Sequence, residues 1–128
     1  MYRTRFEARS AFAALVLATT AGLAHHARAQ TAVQPPDAFA PCAACHTLDE
    51  QSGLGPSLKG VIGRKAGSAS GFNYSRAMKN AAITWDEQTL NAFIAEPQKI
   101  VPGNHMPFSG LPEANDRASV VAFLKDLR

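Results

Sequence analysis

Apolar residues recur at the spacing of an α-helix in two segments of the chain. In the first segment, Leu90, Phe93 and Ile94 fall on one face of a helix. The segment Thr84–Glu87 before them has the form of a capping box with acidic residues at the positive end of the helix, and Pro97 follows them. The pattern therefore predicts a helix that begins at this capping box and ends before the proline.

The second segment lies at the C terminus. Its apolar residues also share one helical face: Val120, Phe123, Leu124 and Leu127. Asn115 or Asp116 is the predicted N-cap of this helix, which runs to the end of the chain. We assign the apolar face to the core, where it packs on the helix that carries Cys42.

Two shorter helices are predicted earlier in the chain. Asp37 is the predicted cap of one that carries Cys42, and the other spans Tyr74–Asn80 with Asn73 or Ser75 as its cap.

The segments between the helices are long. Residues 47–71 and 99–112 are rich in Gly and Pro and show no sustained alternation typical of strands. The sequence therefore predicts an all-α fold of short helices and long loops. A loop as long as residues 47–71 is unusual in a small domain unless something organises it. We assign Leu58, Val61 and Ile62 to pack against a bound group that does so.

The first 29 residues have the pattern of a secretory signal peptide. Arg3, Arg5 and Arg9 precede a largely apolar run over residues 11–24, and Ala27-Arg28-Ala29 has the small-x-small form of a cleavage site. The apolar run is shorter than the ~20 residues that span a bilayer. A cleaved leader is therefore favoured over an uncleaved membrane anchor.

The predicted mature chain is electrically neutral. Residues 1–29 hold four of the 13 Lys+Arg and one of the 10 Asp+Glu, which leaves nine of each. This balance gives no support to binding of nucleic acid or of an anionic membrane. We expect export to the periplasm with cleavage after Ala29, a flexible lead-in over residues 30–36 and a folded domain over residues 37–128.

The clearest chemical signal is the segment Cys42-Ala43-Ala44-Cys45-His46. Two thiols three positions apart on one helical turn point the same way, so each can form a thioether with one vinyl group of a haem. The following imidazole can then bind the iron.

Other interpretations of the two cysteines lack support. A thioredoxin-like dithiol would need a βαβ context, and a structural zinc site needs four ligands where this chain has two Cys. A disulfide would leave His46 unexplained. The predicted cofactor is one covalent haem c.

The second axial position of the iron decides between electron transfer and binding of external ligands. Met106 is favoured for it, because it lies in a loop stiffened by Pro and Gly, whereas Met78 falls at an apolar position inside a helix. His105 is a rival ligand, but adjacent residues of an extended loop point oppositely, so only one of the two can reach the iron. Ligation by His and Met favours the ferrous state relative to two nitrogens.

A series of short motifs follows in order along the mature chain: Cys42-Ala43-Ala44-Cys45-His46-Thr47, Gly55-Pro56-Ser57-Leu58, Gly63-Arg64-Lys65, Gly71-Phe72-Asn73-Tyr74-Ser75, Lys79-Asn80, Ile83-Thr84-Trp85 and Pro102-Gly103-Asn104-His105-Met106. In these motifs, nearly all of Asp37–Arg128 resembles the class I cytochromes c of the mitochondrial and bacterial cytochrome c2 type. The resemblance implies the cytochrome c fold, with short helices and long loops wrapped around one covalent haem.

The resemblance also implies roles for individual residues. Cys42 and Cys45 would form the thioether bonds, and His46 and Met106 would be the axial ligands.

Around this centre, the resemblance implies that the Pro56 carbonyl accepts a hydrogen bond from the His46 ring. Tyr74 and Trp85 would donate hydrogen bonds to a haem propionate, and Arg64 would offset its charge.

The chain departs from the family pattern at several positions. Phe93 stands where a Tyr is usual, so no hydroxyl can bond the ligand sulfur there, and Asn104 replaces a common Thr. Four residues other than lysine stand where mitochondrial members carry docking lysines around the haem edge: Pro41, Gln98, His105 and Pro112. Lys99 remains. We therefore predict that association with partners depends only weakly on salt.

The expected function is electron transfer and not enzyme catalysis. We expect a monomeric one-electron carrier between redox proteins such as a quinol-oxidising complex, an oxidase or a dehydrogenase, without stable membrane insertion. One alternative is a small haem peroxidase or gas-binding protein with a labile sixth ligand. Another is a dedicated cytochrome subunit of one dehydrogenase.

Overall fold

The regular secondary structure of the protein consists of short helices. The computed structural model describes residues 33–127. A 3-10 turn continues into the first helix, and four more helices follow: the turn Asp37–Phe39, then α1 (Ala40–Ala43), α2 (Arg76–Asn80), α3 (Glu87–Ala95), α4 (Pro97–Ile100) and α5 (Ala114–Asp126). Within the described range, pairing of the β type is limited to an isolated antiparallel bridge between Lys65 and Thr84. The predicted all-α fold class is confirmed.

The N-terminal predictions concern residues of which little is described. The predicted signal peptide, residues 1–29, and the first part of the lead-in lie outside the described residues, and residues 33–36 have no regular secondary structure. Between residues 33 and 127, no helix has both the length and the apolar character needed to cross a membrane.

The start of α3 differs from the predicted one. Its N-cap is Asp86, whose carboxylate accepts from the Thr89 amide at 2.7 Å, while the Thr89 hydroxyl accepts from the Asp86 amide at 2.8 Å. The predicted capping box at Thr84–Glu87 was wrong because Trp85 pairs with the preceding loop. Its backbone N–H donates to the Arg64 carbonyl at 2.9 Å, and its carbonyl accepts from the Gly63 amide at 2.7 Å. This pairing keeps the chain extended until residue 86.

Other helix starts were predicted with mixed success. Ser75 caps α2 by accepting from the Met78 amide at 3.1 Å, so one of its two candidate caps is correct. The 3-10 turn and α5 begin without a side-chain cap, after Pro36 and Glu113. The predicted caps of these two elements were therefore wrong: Asp37, Asn115 and Asp116. Both helices begin earlier than expected, which leaves Asp37 and Asp116 in first turns, where a carboxylate still interacts favourably with the helix dipole.

Pro97 has two structural effects. It ends α3, as predicted, and it also begins α4. A proline suits the first turn of a helix because the missing N–H would have no intrahelical partner there. The loop predicted from residue 99 therefore starts only after Ile100.

The core lies where α3 and α5 meet each other and the 3-10 turn. Residues from all three elements are buried: Phe39, Leu90, Phe93, Ile94, Val120, Val121, Phe123 and Leu124. The rings of Phe39 and Phe123 meet edge to face with their centroids 5.0 Å apart, an arrangement that aromatic quadrupoles favour. The C-terminal helix thus packs on the N-terminal turn, as its apolar stripe predicted.

The long loop over residues 47–71 is held in place by backbone contacts and by burial. The Gly60 amide donates to the Leu127 carbonyl at 2.9 Å, which ties the loop to the end of α5. Leu58 and Val61 line a central cavity, as their assignment to a bound group requires. The assignment of Ile62 was wrong, because this side chain lines a second cavity beside the end of α5.

Candidate functional site

The central cavity has a volume of about 530 Å³ and lies between the long loops, α3 and α5. This volume is in the range of protein sites that enclose organic ligands and cofactors. Every site residue predicted from the sequence lines it: Cys42, Cys45, His46, Pro56, Arg64, Tyr74, Trp85 and Met106. The fold therefore brings together residues that are up to 64 positions apart in the chain.

The two cysteines lie on one turn at the end of α1. Ala44 keeps a right-handed helical conformation (φ −61°, ψ −27°) after the helix ends. The Cys45 and His46 amides both donate to the Cys42 carbonyl, at 3.1 and 2.9 Å. These bonds prolong the helical geometry through the motif, so both half-buried thiols lie along the same cavity.

The surroundings of the two thiols do not favour a metal site. Burial raises the pKa of the Cys42 thiol, and a backbone hydrogen bond partly offsets that effect. The thiol is therefore protonated at neutral pH. Between residues 33 and 127, no group of three or more His, Cys, Asp or Glu side chains is placed to hold a metal ion. The zinc alternative therefore lacks its remaining ligands in this range.

The ring of His46 is fixed by the segment that follows the motif. Its Nδ1 lies 2.7 Å from the Pro56 carbonyl oxygen. A carbonyl can only accept, so Nδ1 carries the hydrogen and Nε2 keeps its lone pair for a metal. The observed contact is the one that the family resemblance implied.

Gly55 is a functional residue that the sequence reasoning missed. A Cβ atom on Gly55 would lie 2.8 Å from Cε1 and 2.9 Å from Nδ1 of His46. The imidazole therefore rests directly on the backbone of Gly55, where no side chain fits. The signal in the sequence was the position of this glycine, immediately before Pro56.

The candidate ligands for the other axial position differ in exposure. Met106 is half-buried and lines the cavity, whereas the neighbouring His105 reaches the same cavity from an exposed position. Met78 also lines the cavity, but it is 8% exposed and belongs to the hydrophobic core, as predicted for a residue inside a helix. Of the three, Met106 is the one that combines a loop position with a half-buried side chain at the cavity wall.

Three residues of the cavity wall carry groups that suit a carboxylate: Arg64, Tyr74 and Trp85. Arg64 donates to the carbonyls of Ser57 and Lys59 at 2.7 and 3.1 Å, which fixes its guanidinium at the cavity wall. Burial raises the pKa of Tyr74, and the nearby positive charge of Arg64 counteracts part of this shift. Trp85 is 7% exposed and lines the same cavity.

These features fit a haem. The cavity wall is largely apolar and offers two thiols on one turn, an imidazole with an available Nε2 and a thioether. Trp85 and Tyr74 bring an indole N–H and a phenol hydroxyl to the same wall. Arg64 supplies a positive charge suited to a carboxylate.

Comparison with known proteins agrees with this chemistry. The family model described as Cytochrome c matches residues 36–128. The chain belongs to the cytochrome c family. It is 47% identical over 93 residues to cytochrome c2 iso-2 of Magnetospirillum fulvum, covering 72% of this chain and 97% of that protein. It is 50% identical over 92 residues to cytochrome c2 of Rhodoblastus acidophilus, covering 70% and 86%.

A solved structure supports the same conclusion. Cytochrome cH from Methylobacterium extorquens superimposes with a TM-score of 0.66 at 45% identity, covering 69% of this chain and 90% of that chain. The class I cytochrome c of the c2 type that the motifs indicated is thereby confirmed. The chain is a small c-type cytochrome that carries electrons, and its one covalent haem c is attached through Cys42 and Cys45.

Proposed function

We propose that this cytochrome is a one-electron carrier of the periplasm whose haem iron is held between His46 and Met106. The observation that carries the proposal is that both side chains line one cavity. The His46 ring bonds the Pro56 carbonyl, and the backbone amide of Met106 bonds the Asn104 side chain. Haem supplies a ferric/ferrous couple when it is bound. The protein would supply both axial side chains, so no position is left for a substrate.

The same cavity suggests how the propionates are held. The indole N–H of Trp85 and the hydroxyl of Tyr74 are the proposed donors to a propionate, and Arg64 offsets its charge. The position of all three residues in the wall of the cavity supports these roles. The raised pKa of Tyr74 also supports its role, because the phenol remains a hydrogen-bond donor well above neutral pH.

The proposed path to the periplasm rests on the leader pattern in residues 1–29. Cleavage after Ala29 would leave the short lead-in and a functional domain over residues 37–128. The proposed partners are soluble or membrane-bound redox proteins that the monomer meets in turn. N-terminal sequencing of the protein purified from its native host tests the first step, because any mature terminus other than Gln30 contradicts this cleavage site.

Absorption spectroscopy tests the axial ligation. We expect a sulfur–iron charge-transfer band in the ferric protein that disappears in Met106→Ala, together with rapid binding of carbon monoxide to the reduced variant. Met78→Leu is the matched control, since it exchanges a cavity-lining Met at similar volume and should keep the band. A band that survives in Met106→Ala would refute the proposed ligand. Rapid carbon monoxide binding by the unmodified protein would favour the gas-binding alternative.

A further inference from the structure

Asn104 is a buried polar residue, 6% exposed, two positions before Met106. Its Nδ2 donates to the carbonyls of Pro97 and Val101 at 3.0 and 2.9 Å, and its Oδ1 accepts from the Met106 amide at 2.9 Å. Both amide hydrogens and the oxygen are therefore used. The partners also fix the orientation of the amide, since two are carbonyls and the third is an N–H.

The two residues whose carbonyls accept from Asn104 are buried: Pro97 and Val101. Pro97 begins α4 and is among the largest fully buried side chains, and Val101 directly after α4 is 3% exposed. Residues buried to this extent are held by close packing and move little. The bonds of Asn104 thus connect the backbone of Met106 to a closely packed part of the protein that does not move with the loop that carries Met106.

From these contacts we propose that Asn104 is the positioning residue for the sixth ligand. The inference rests on the proposed role of Met106 and adds how the sulfur is kept in place. Asn104 bonds Met106 through one end of its amide and α4 through the other, so the loop cannot swing outward without breaking buried hydrogen bonds.

The shape of the side chain explains why this role needs Asn. A Thr, common at this position in the family, has one hydroxyl and cannot bond two carbonyls and an N–H at once. An Asp offers only acceptors when ionised and would face two carbonyl oxygens without a hydrogen. Alanine retains none of the side-chain bonds and keeps only the backbone bond from the amide of residue 104 to the Val101 carbonyl, at 3.1 Å.

Gln98 provides a matched control on the same turn. Its Nε2 donates to the Asn104 carbonyl at 3.0 Å, and its Oε1 accepts from the Gly103 amide at 3.2 Å. It stabilises the turn before the ligand, yet it makes no bond to Met106. Loss of Gln98 therefore loosens the turn and leaves the Met106 tether intact.

The test is the affinity of the ferric holoprotein for imidazole, which competes with Met106 for the iron. Asn104→Ala is expected to bind imidazole about tenfold more tightly. This factor corresponds to the net stabilisation of one to two hydrogen bonds, which is the part of the three lost bonds that we expect to act on Met106. Asn104→Asp should behave like Asn104→Ala, because its side chain also loses the hydrogen bonds to the Pro97 and Val101 carbonyls. Gln98→Ala should stay within about twofold of the unmodified protein, since it affects only peripheral bonds.

The possible outcomes separate the inference from the proposed function. An absent sulfur–iron band in the unmodified protein would overturn the ligation by Met106 and the inference with it. If that band is present, an affinity of Asn104→Ala within about twofold of the unmodified protein overturns the inference alone. So does equal tightening in Gln98→Ala. Should Asn104→Ala fail to fold, Asn104→Thr replaces it, with an expected gain of about threefold because one hydrogen bond can be retained.

Discussion

Replacing Gly55 by alanine adds one methyl group at the place where the His46 ring rests. The added Cβ would lie 2.8 Å from Cε1, 2.9 Å from Nδ1 and 3.3 Å from Nε2 of the ring. The backbone conformation does not require glycine here, because the φ angle of Gly55 is not positive. The destabilising effect expected of the substitution therefore comes from the contact with His46.

The size of the effect follows from these distances. Ordinary van der Waals contact of a Cβ begins near 3.4 Å, so the ring or the loop must shift by about 0.6 Å. A shift of this size strains the 2.7 Å bond from Nδ1 to the Pro56 carbonyl. Overpacking of this kind typically costs about 1–3 kcal/mol. For a domain of this size, each kcal/mol lowers the melting temperature by about 4–8 °C.

The bond to Pro56 also gives the substitution an electronic consequence. A hydrogen bond from the other ring nitrogen makes a ligating imidazole a stronger donor. A weaker bond in Gly55→Ala should therefore destabilise the ferric state and raise the reduction potential. Thermal unfolding followed by circular dichroism and protein-film voltammetry measure the two effects independently.

Gly53→Ala is the control for this experiment. Gly53 lies in the same loop, and a Cβ there would meet the Cys45 carbonyl at 3.2 Å and the Thr47 methyl at 3.3 Å, without touching the His46 ring. We expect a smaller loss of stability and an unchanged potential. If Gly55→Ala matches Gly53→Ala in both melting temperature and potential, the contact with the His46 ring does not constrain the site.

Three further predictions concern pH, potential and partner association. Hydrogen bonds from Thr89 lower the pKa of Asp86, so its carboxylate stabilises the fold above the usual Asp pKa of about 3.9 and this contribution disappears as the pH falls through the lowered pKa. In urea unfolding, Asp86→Asn should keep the N-cap and reduce the loss of unfolding free energy at acidic pH. An unchanged dependence of the unfolding free energy on pH would contradict this role of Asp86. Phe93→Tyr places a hydroxyl in the cavity with Met106, and a bond to the sulfur should raise the potential by tens of mV, whereas an unchanged or lower potential would argue against it. Stopped-flow mixing with a purified redox partner should show an on-rate that falls less than about threefold between low and physiological salt, and a steep fall would disprove weak electrostatic steering.

The haem attachment site could be predicted from the sequence because its chemistry is local. The spacing of Cys42 and Cys45 fixes their relative direction on one turn, and His46 follows directly. The predicted contact between His46 and Pro56 spans ten residues, and the family resemblance was needed to expect it. The periodic apolar residues of α3 and α5 were equally informative, since burial of one helical face is a strong constraint.

Helix boundaries were harder to predict because tertiary contacts decide them. The segment at Thr84–Glu87 satisfies the local pattern of a capping box, yet Trp85 bonds the loop before it and the helix starts later. Likewise, Ile62 is adjacent to Val61 and equally apolar, but the loop turns it towards α5. Local propensity cannot show which of two neighbouring apolar residues faces a cofactor.

The loop between α4 and α5, which carries Met106, is held in place mainly by a few contacts of glycine and asparagine. Long loops lack the repeated backbone bonds of helices, so their position depends on a few close contacts. At one end, Asn104 uses its whole amide to join Met106 to α4. At the other end, a Cβ on Gly110 would lie 2.0 Å from the Ala95 carbonyl oxygen, and the φ angle of Gly110 is +115°. Only glycine tolerates both conditions. The apolar pattern thus determines where the helices pack, while a small number of close contacts determine where the backbone of Met106 lies.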